Sequence, residues 1–122
     1  MNYFTGVITN TRVTGTAAST VVVNTRNLSL VDDATIVVEL RYTLESPIMT
    51  PLYVNGYVVP AGTVDIREFS IPGVFAYELQ ISVISPSEEE TILTVFGLDE
   101  SGNLVQNQRI LQSEFTVLPA VL

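Results

Sequence analysis

Apolar residues recur at every second position through residues 34–44 and again through 74–84, and this alternation commits the chain to β-sheet. In the first stretch Ile36, Val38, Leu40, Tyr42 and Leu44 share one side, while Thr35, Val37, Glu39, Arg41 and Thr43 share the other. A strand sends successive side chains to opposite faces, whereas a helix would scatter this pattern around its axis. In the second stretch Phe75, Tyr77, Leu79, Ile81 and Val83 alternate with Ala76, Glu78, Gln80 and Ser82. These two strands are expected at the centre of the core. No segment sustains helical apolar spacing with caps.

Weaker strands are delimited by turn chemistry. Leu52-Tyr53-Val54 and Tyr57-Val58-Val59 flank Asn55-Gly56, a dipeptide that accepts the positive φ angles of a type I′ turn, so a hairpin is predicted there. Residues 60–62 turn the chain again. Residues 63–71 start with Val64 and Ile66 on one face and continue with Phe69 and Ile71 on the other, which predicts a β-bulge near Glu68. After Pro72-Gly73 and the second core strand, residues 85–90 form a polar connection. Residues 91–98 are apolar on both faces and are expected to be covered on both sides. Residues 99–103 turn, and residues 104–117 read as one long last strand with a polar face rich in Gln and Asn. Upstream, residues 20–30 carry Val21, Val22, Val23, Leu28 and Leu30 with a break at 24–27, as for a strand that bends or changes sheets. About eight strands on short turns predict an all-β, two-sheet antiparallel β-sandwich, jelly-roll-like in its connections.

At 122 residues the chain suits one domain, with residues 20–122 as the sandwich and residues 1–19 as an extended N-terminal arm. Composition limits what that domain can meet. Hydrophobic residues make up 47% and charged residues 15%, which is apolar for so small a domain and predicts that part of its surface touches another protein. Net charge is −8, and every one of the five basic residues is arginine. Nucleic acid and anionic membrane are therefore poor partners. No run is long and apolar enough for a membrane span, and residues 1–6 lack the basic and apolar segments of a signal peptide. The absence of cysteine removes disulfides, thiolate chemistry and soft metal sites together.

Catalysis at neutral pH usually draws on histidine, cysteine or lysine, and all three are missing. Paired carboxylates could hydrolyse glycosides across a cleft, with Glu39, Glu78 and Glu68 as the strand carboxylates to supply them, but alternation puts Glu39 and Glu78 on outward faces, as solvated charges. Asp32-Asp33, Glu88-Glu89-Glu90 and Asp99-Glu100 lack the spacing of a calcium loop and lie at predicted turns. No catalytic, cofactor or metal-ligating residue is assigned, and no cofactor is expected. Tyr42, Phe75 and Tyr77 fall on core stripes, which leaves Tyr53 and Tyr57 as the exposed aromatic pair that a sugar platform would need.

The first nineteen residues differ from the rest. Thr, Gly, Asn and Ala dominate, and the large apolar side chains are Tyr3, Phe4, Val7, Ile8 and Val13. Ordering such a segment costs more backbone entropy than those few side chains return on burial, so the arm is expected to be mobile in a lone chain. Its β-compatible sequence could add as a strand to the open edge of a neighbour, with Tyr3, Phe4, Val7, Ile8 and Val13 as the subunit interface. A free terminus and a first strand of the same domain are the other two readings.

The runs Ala61-Gly62-Thr63-Val64-Asp65-Ile66-Arg67, Ala76-Tyr77-Glu78-Leu79-Gln80, Val95-Phe96-Gly97-Leu98-Asp99 and Gly102-Asn103-Leu104, with Arg109-Ile110-Leu111 and Ser113-Glu114, resemble small spore-surface proteins of bacilli and, more widely, endospore appendage subunits. The likeness spans residues 61–114. It implies jelly-roll domains that stack into a fibre, with an N-terminal extension reaching into neighbours and edge strands pairing between copies. Appendage subunits cross-link through cysteines in that extension, and this chain has none. The expectation is therefore a structural protein that forms a non-covalent homopolymer on the spore surface by donor-strand insertion. It would be made without a signal peptide, with a spore-surface anchoring protein as a further partner. A closed-oligomer coat or tip protein and a carbohydrate-binding module are the alternatives.

Overall fold

The computed structural model describes residues 1–45 and 47–119. Among these are ten strands and no α-helix: β1 (Asn2–Phe4), β2 (Ile8–Thr9), β3 (Thr20–Asn27), β4 (Ala34–Thr43), β5 (Thr50–Val59), β6 (Val64–Ser70), β7 (Ala76–Ile84), β8 (Thr91–Leu98), β9 (Leu104–Ile110) and β10 (Thr116–Leu118). Two antiparallel sheets pack face to face. The first runs β10-β1-β7-β4-β5, with β2 also on β7, and the second runs β6-β3-β8-β9. The chain is thus the two-sheet, antiparallel all-β sandwich that the alternation requires.

β4 and β7 are the central pair of the first sheet, matched from Thr35↔Ile84 to Thr43↔Ala76 without interruption. Their inner faces bury Ile36, Val38, Leu40, Tyr77, Leu79, Ile81 and Val83 against Val21, Val23, Leu93 and Val95 of β3 and β8. At full burial each such side chain stabilises the fold by about 1.5–3 kcal/mol. The alternation overruns both strands at their tips. Leu44 lies past the end of β4 and is exposed, and Phe75 precedes β7 and stays 38% exposed while its neighbour Val74 is buried instead.

Several local expectations are corrected. Asn55-Gly56 makes no hairpin: β5 is one continuous strand of 10 residues, with Asn55 opposite Val38 and Gly56 opposite Val37. Gly56 is not among the glycines with positive φ. The alternation of Tyr53, Asn55, Tyr57 and Val59 stays in phase through the dipeptide, and the equally long β4 pairs with the whole of it, so tertiary pairing overrides turn propensity. No bulge occurs at Glu68, because β3 and β6 pair without a shift from Thr20↔Ser70 to Arg26↔Val64. The apparent change of phase arises because Val64 and Ile66 face solvent while Phe69 faces the core.

The irregularities fall elsewhere, at Leu40/Arg41 against β5 and between Phe96 and Leu98 against β9. Gly97 sits in the second, and a Cβ there would lie 2.9 Å from the Gln108 Cβ, so glycine gives Gln108 room against the backbone. β3 is likewise unbroken through residues 24–27. The expected long last strand is two: β9 ends at Ile110, a 3-10 turn follows at Gln112–Glu114, and β10 joins the other sheet. The Glu114 carboxylate accepts from Leu111 N at 2.8 Å and closes that turn. β8 is buried on its inner side and half-buried on the other.

Candidate self-association surface

Residues 1–19 are docked on their own domain, which corrects the expectation of a mobile arm in the lone chain. β1 lies between β7 and β10 and pairs with both, through Tyr3↔Ile81 and Tyr3↔Val117. After Gly6, which takes φ 79, β2 continues along the same side of β7 through Ile8↔Tyr77. Main-chain pairing of β1 on two sides adds to what the few buried side chains return and offsets the backbone entropy. Tyr3 is buried with its ring edge-on to Phe115 at 6.0 Å, and Phe4 and Ile8 are half-buried. Val7 and Val13 point to solvent.

Asn10 pins the end of this segment. Fully buried, it donates to Ala18 O at 2.9 Å and Val74 O at 2.8 Å, and accepts from Ala18 N and Gln108 Nε2, each at 2.7 Å. Gln108 in turn accepts a hydrogen bond from the Tyr77 hydroxyl. One polar chain therefore ties the arm to both sheets.

Sheet edges are where an antiparallel sandwich offers main-chain groups to another molecule. β5 ends the first sheet, and no strand flanks it on its outer side among the described residues. From Thr50 to Val59 it carries no charged residue. Its solvent side shows Val54, 68% exposed, with Leu52 and Val58 beside it. The neighbouring edge, β6, differs. Asp65 and Arg67 point inward across the opening of the sandwich, where Arg67 pairs with Asp65 at 2.9 Å, donates to Asn55 Oδ1 at 3.2 Å and lies 3.8 Å over the Tyr57 ring. Inward charges of this kind discourage pairing with another chain. β9 carries Arg109, and β10 is 3 residues long.

Tyr53 and Tyr57 are not an exposed pair. Tyr57 is buried beneath Arg67, and Tyr53 packs 5.3 Å from Phe69 and donates to Ser70 O at 2.8 Å. Glu39 and Glu78 do lie on the outer face, as alternation requires, but both clasp Arg41, at 3.1 and 2.7 Å, and Glu78 is buried. Burial works against the Arg41 charge, yet the hydrogen bonds it donates to Glu78 and Glu39 outweigh it and hold the guanidinium above its ordinary value. Glu68 is exposed on β6.

The acidic turns are occupied by ordinary turn bonds. Asp32 Oδ2 accepts from Ser87 Oγ, Asp33 Oδ1 from Ala61 N, and Asp99 Oδ1 from Ser101 N and Asn103 N. Among the described residues no cluster of three or more His, Cys, Asp or Glu side chains could hold a metal ion. The feature that sequence reasoning missed is the β5 edge, hidden behind the predicted hairpin. Its signal in the sequence is the run without charge between Glu45 and Asp65. Comparison with protein-family models, with curated proteins and with solved structures finds no match for this chain.

Proposed function

We propose that this chain is a structural subunit whose role is to bind copies of itself. It assembles non-covalently into a fibre or appendage on a spore surface, by pairing of sheet edges and by exchange of the N-terminal segment between copies. The observation that carries this reading is β5: a long, uncharged edge strand with an apolar outer face, in a chain whose net charge is −8. Natural sandwiches usually guard such an edge with charge, as β6 does here. Pro51 has no N–H to give and the ladder shifts register beside it, so the stretch from Leu52 to Val59 is the part of the edge that offers the hydrogen bonds of β-augmentation to a second copy. The resemblance to appendage subunits supports the same reading. The N-terminal segment fits it too, since a strand held between β7 and β10 could make the same bonds on a neighbour by domain swapping.

Negative-stain electron microscopy of the purified full chain tests the proposal. Fibres with a regular axial repeat are expected. Replacing Val54 and Val58 with Lys puts charge on the outer face of β5 and is expected to abolish them, while each exposed substitution changes monomer stability by no more than about 0.5 kcal/mol. A single small particle at every concentration up to the millimolar range rules the proposal out. A fixed multiple of the chain mass by light scattering points to the closed oligomer instead.

A further inference from the structure

We infer that β5 pairs with the β5 of a second copy, antiparallel about a two-fold axis at Asn55, so that a dimer is the unit from which assembly proceeds. This contact rests on the assembly reading and names the surface that β5 meets. Edge pairing needs an open edge on both molecules, and among the described residues β5 is the long edge without a protective device. β6 turns Asp65 and Arg67 inward and carries Glu68 outside. β9 is distorted: between Phe96↔Arg109 and Leu98↔Leu104, residues 105–108 stand against Gly97 alone. Such a bulge breaks the regular spacing of main-chain groups that an added strand would follow. On the remaining flank β10 and β2 are 3 and 2 residues long. The open edge that a second copy can offer to β5 is therefore its own β5.

A surface that meets its own copy does so about a two-fold axis. With the axis normal to the sheet the new pair is antiparallel, as is every ladder of the sandwich, and the six-stranded sheets of the two copies run on as one. Pro51 and Pro60 lack an N–H and bound the stretch that can pair. Within it Asn55 sets the register. Its Oδ1 accepts from Arg67 at 3.2 Å, while its Nδ2 donates to no group among the described residues. With the axis at Asn55 the two amides face each other, and each Nδ2 can donate to the Oδ1 of the other. Tyr53 then lies opposite Tyr57, Leu52 opposite Val58 and Val54 opposite Gly56, so every residue from Leu52 to Val58 meets a neutral partner.

No charged side chain belongs to the paired stretch. The nearest ones are engaged within their own copy: Arg67 with Asp65, and Arg41, one strand further in, with Glu39 and Glu78. Asp33, bonded to Ala61 N, and Glu45 flank the two ends of β5, and their repulsion is the part that salt screens. A two-fold contact uses the edge of both copies and stops at two. Growth into a fibre then falls to exchange of the N-terminal segment between dimers.

The chain has no cysteine, so single cysteines report the axis directly. In the full-length Asn55→Cys variant the new thiol faces its own copy across the two-fold, within the Cα distance of about 7 Å that a disulfide tolerates. Oxidation is expected to give a covalent dimer on a non-reducing gel and nothing larger. Val54→Cys meets its counterpart on the diagonal, about 7–8 Å away, and is expected to stay largely monomeric. No dimer from Asn55→Cys, a ladder beyond the dimer, or equal dimerisation of Val54→Cys overturns the contact. Asn55→Asp keeps Arg67 as a partner in the lone molecule, yet sets two carboxylates against each other across the axis. Sedimentation equilibrium is expected to show the dimer Kd raised at least about tenfold, equivalent to about 1.4 kcal/mol; an unchanged Kd likewise overturns the contact. Electron microscopy of the unmodified chain separates the two readings. Fibres without the Asn55→Cys dimer sink this contact and leave self-assembly standing, and the covalent dimer without fibres does the reverse.

Discussion

Asn10 shows how much of this fold depends on single polar side chains. It satisfies the main chain of Ala18 and Val74 and the side chain of Gln108, with no exposure of its own. Asn10→Ala would strand these partners away from water, at about 1–3 kcal/mol for each buried group left unpaired. Urea unfolding is expected to show a loss of at least about 2 kcal/mol at unchanged slope; a loss under 0.5 kcal/mol would mean that water or a neighbour replaces the amide. Tyr77, at the far end of the same chain of bonds, sets a pH limit. Burial pushes its phenol up from the ordinary value of 10.0, and burial does the same to Tyr57, partly opposed by a hydrogen bond with Thr25. Unfolded phenols lose their protons near pH 10 while these two keep theirs. The unfolded state then binds fewer protons, so the stability is intact below pH 10 and falls as pH rises beyond it. Tyr77→Phe is expected to flatten that fall in a series of urea titrations above pH 10. An equally steep decline in the variant would assign it to other groups.

Individual strands show what can be read from a sequence and what cannot. β4 and β7 were legible because each has one buried face and one polar face, so alternation alone fixes which of their side chains meet the core. β5 was not, because Asn55-Gly56 is a turn signal only where no partner strand holds the chain extended, and β4 does so along the whole length. The supposed bulge in β6 came from assuming that Val64 and Ile66 must be inside, when they occupy an outer face. The arm was misjudged for a related reason: main-chain pairing with β7 and β10 leaves no mark in side-chain hydrophobicity. Of the proposed interface residues, Val7 and Val13 are free while Tyr3, Phe4 and Ile8 are engaged in cis. If that segment exchanges between copies, it must open more readily than the core. Hydrogen exchange read by mass spectrometry is expected to show the amides of β1 and β2 exchanging at least about a hundredfold faster than those of β4 and β7 in the monomer, since short flanking strands open at lower free energy than a central pair. In fibres their protection should approach that of the core. Equal protection in the monomer would fix the arm as a permanent strand of its own domain and remove exchange from the mechanism.

At the scale of the whole molecule, the opposition is between apolar edges and net charge. Every copy carries −8, and like-charged bodies repel over the Debye length, about 30 Å in 0.01 M salt and about 10 Å in 0.1 M. In the proposed assembly β5 must come within contact distance of a second copy, so repulsion summed over both surfaces opposes attraction that is local and unscreened. Salt weakens the first and leaves edge hydrogen bonds and apolar burial largely intact. Assembly followed by light scattering is therefore expected to need several-fold less protein in 0.5 M sodium chloride than in 0.01 M. Lowering the pH toward the isoelectric point near 4.1 should act in the same direction by protonating carboxylates. A threshold that rises with salt would mean that ion pairs between copies, and not uncharged edges, hold the assembly together. It would move the interface away from β5, which has no charge to offer, and toward the arginines of β6 and β9.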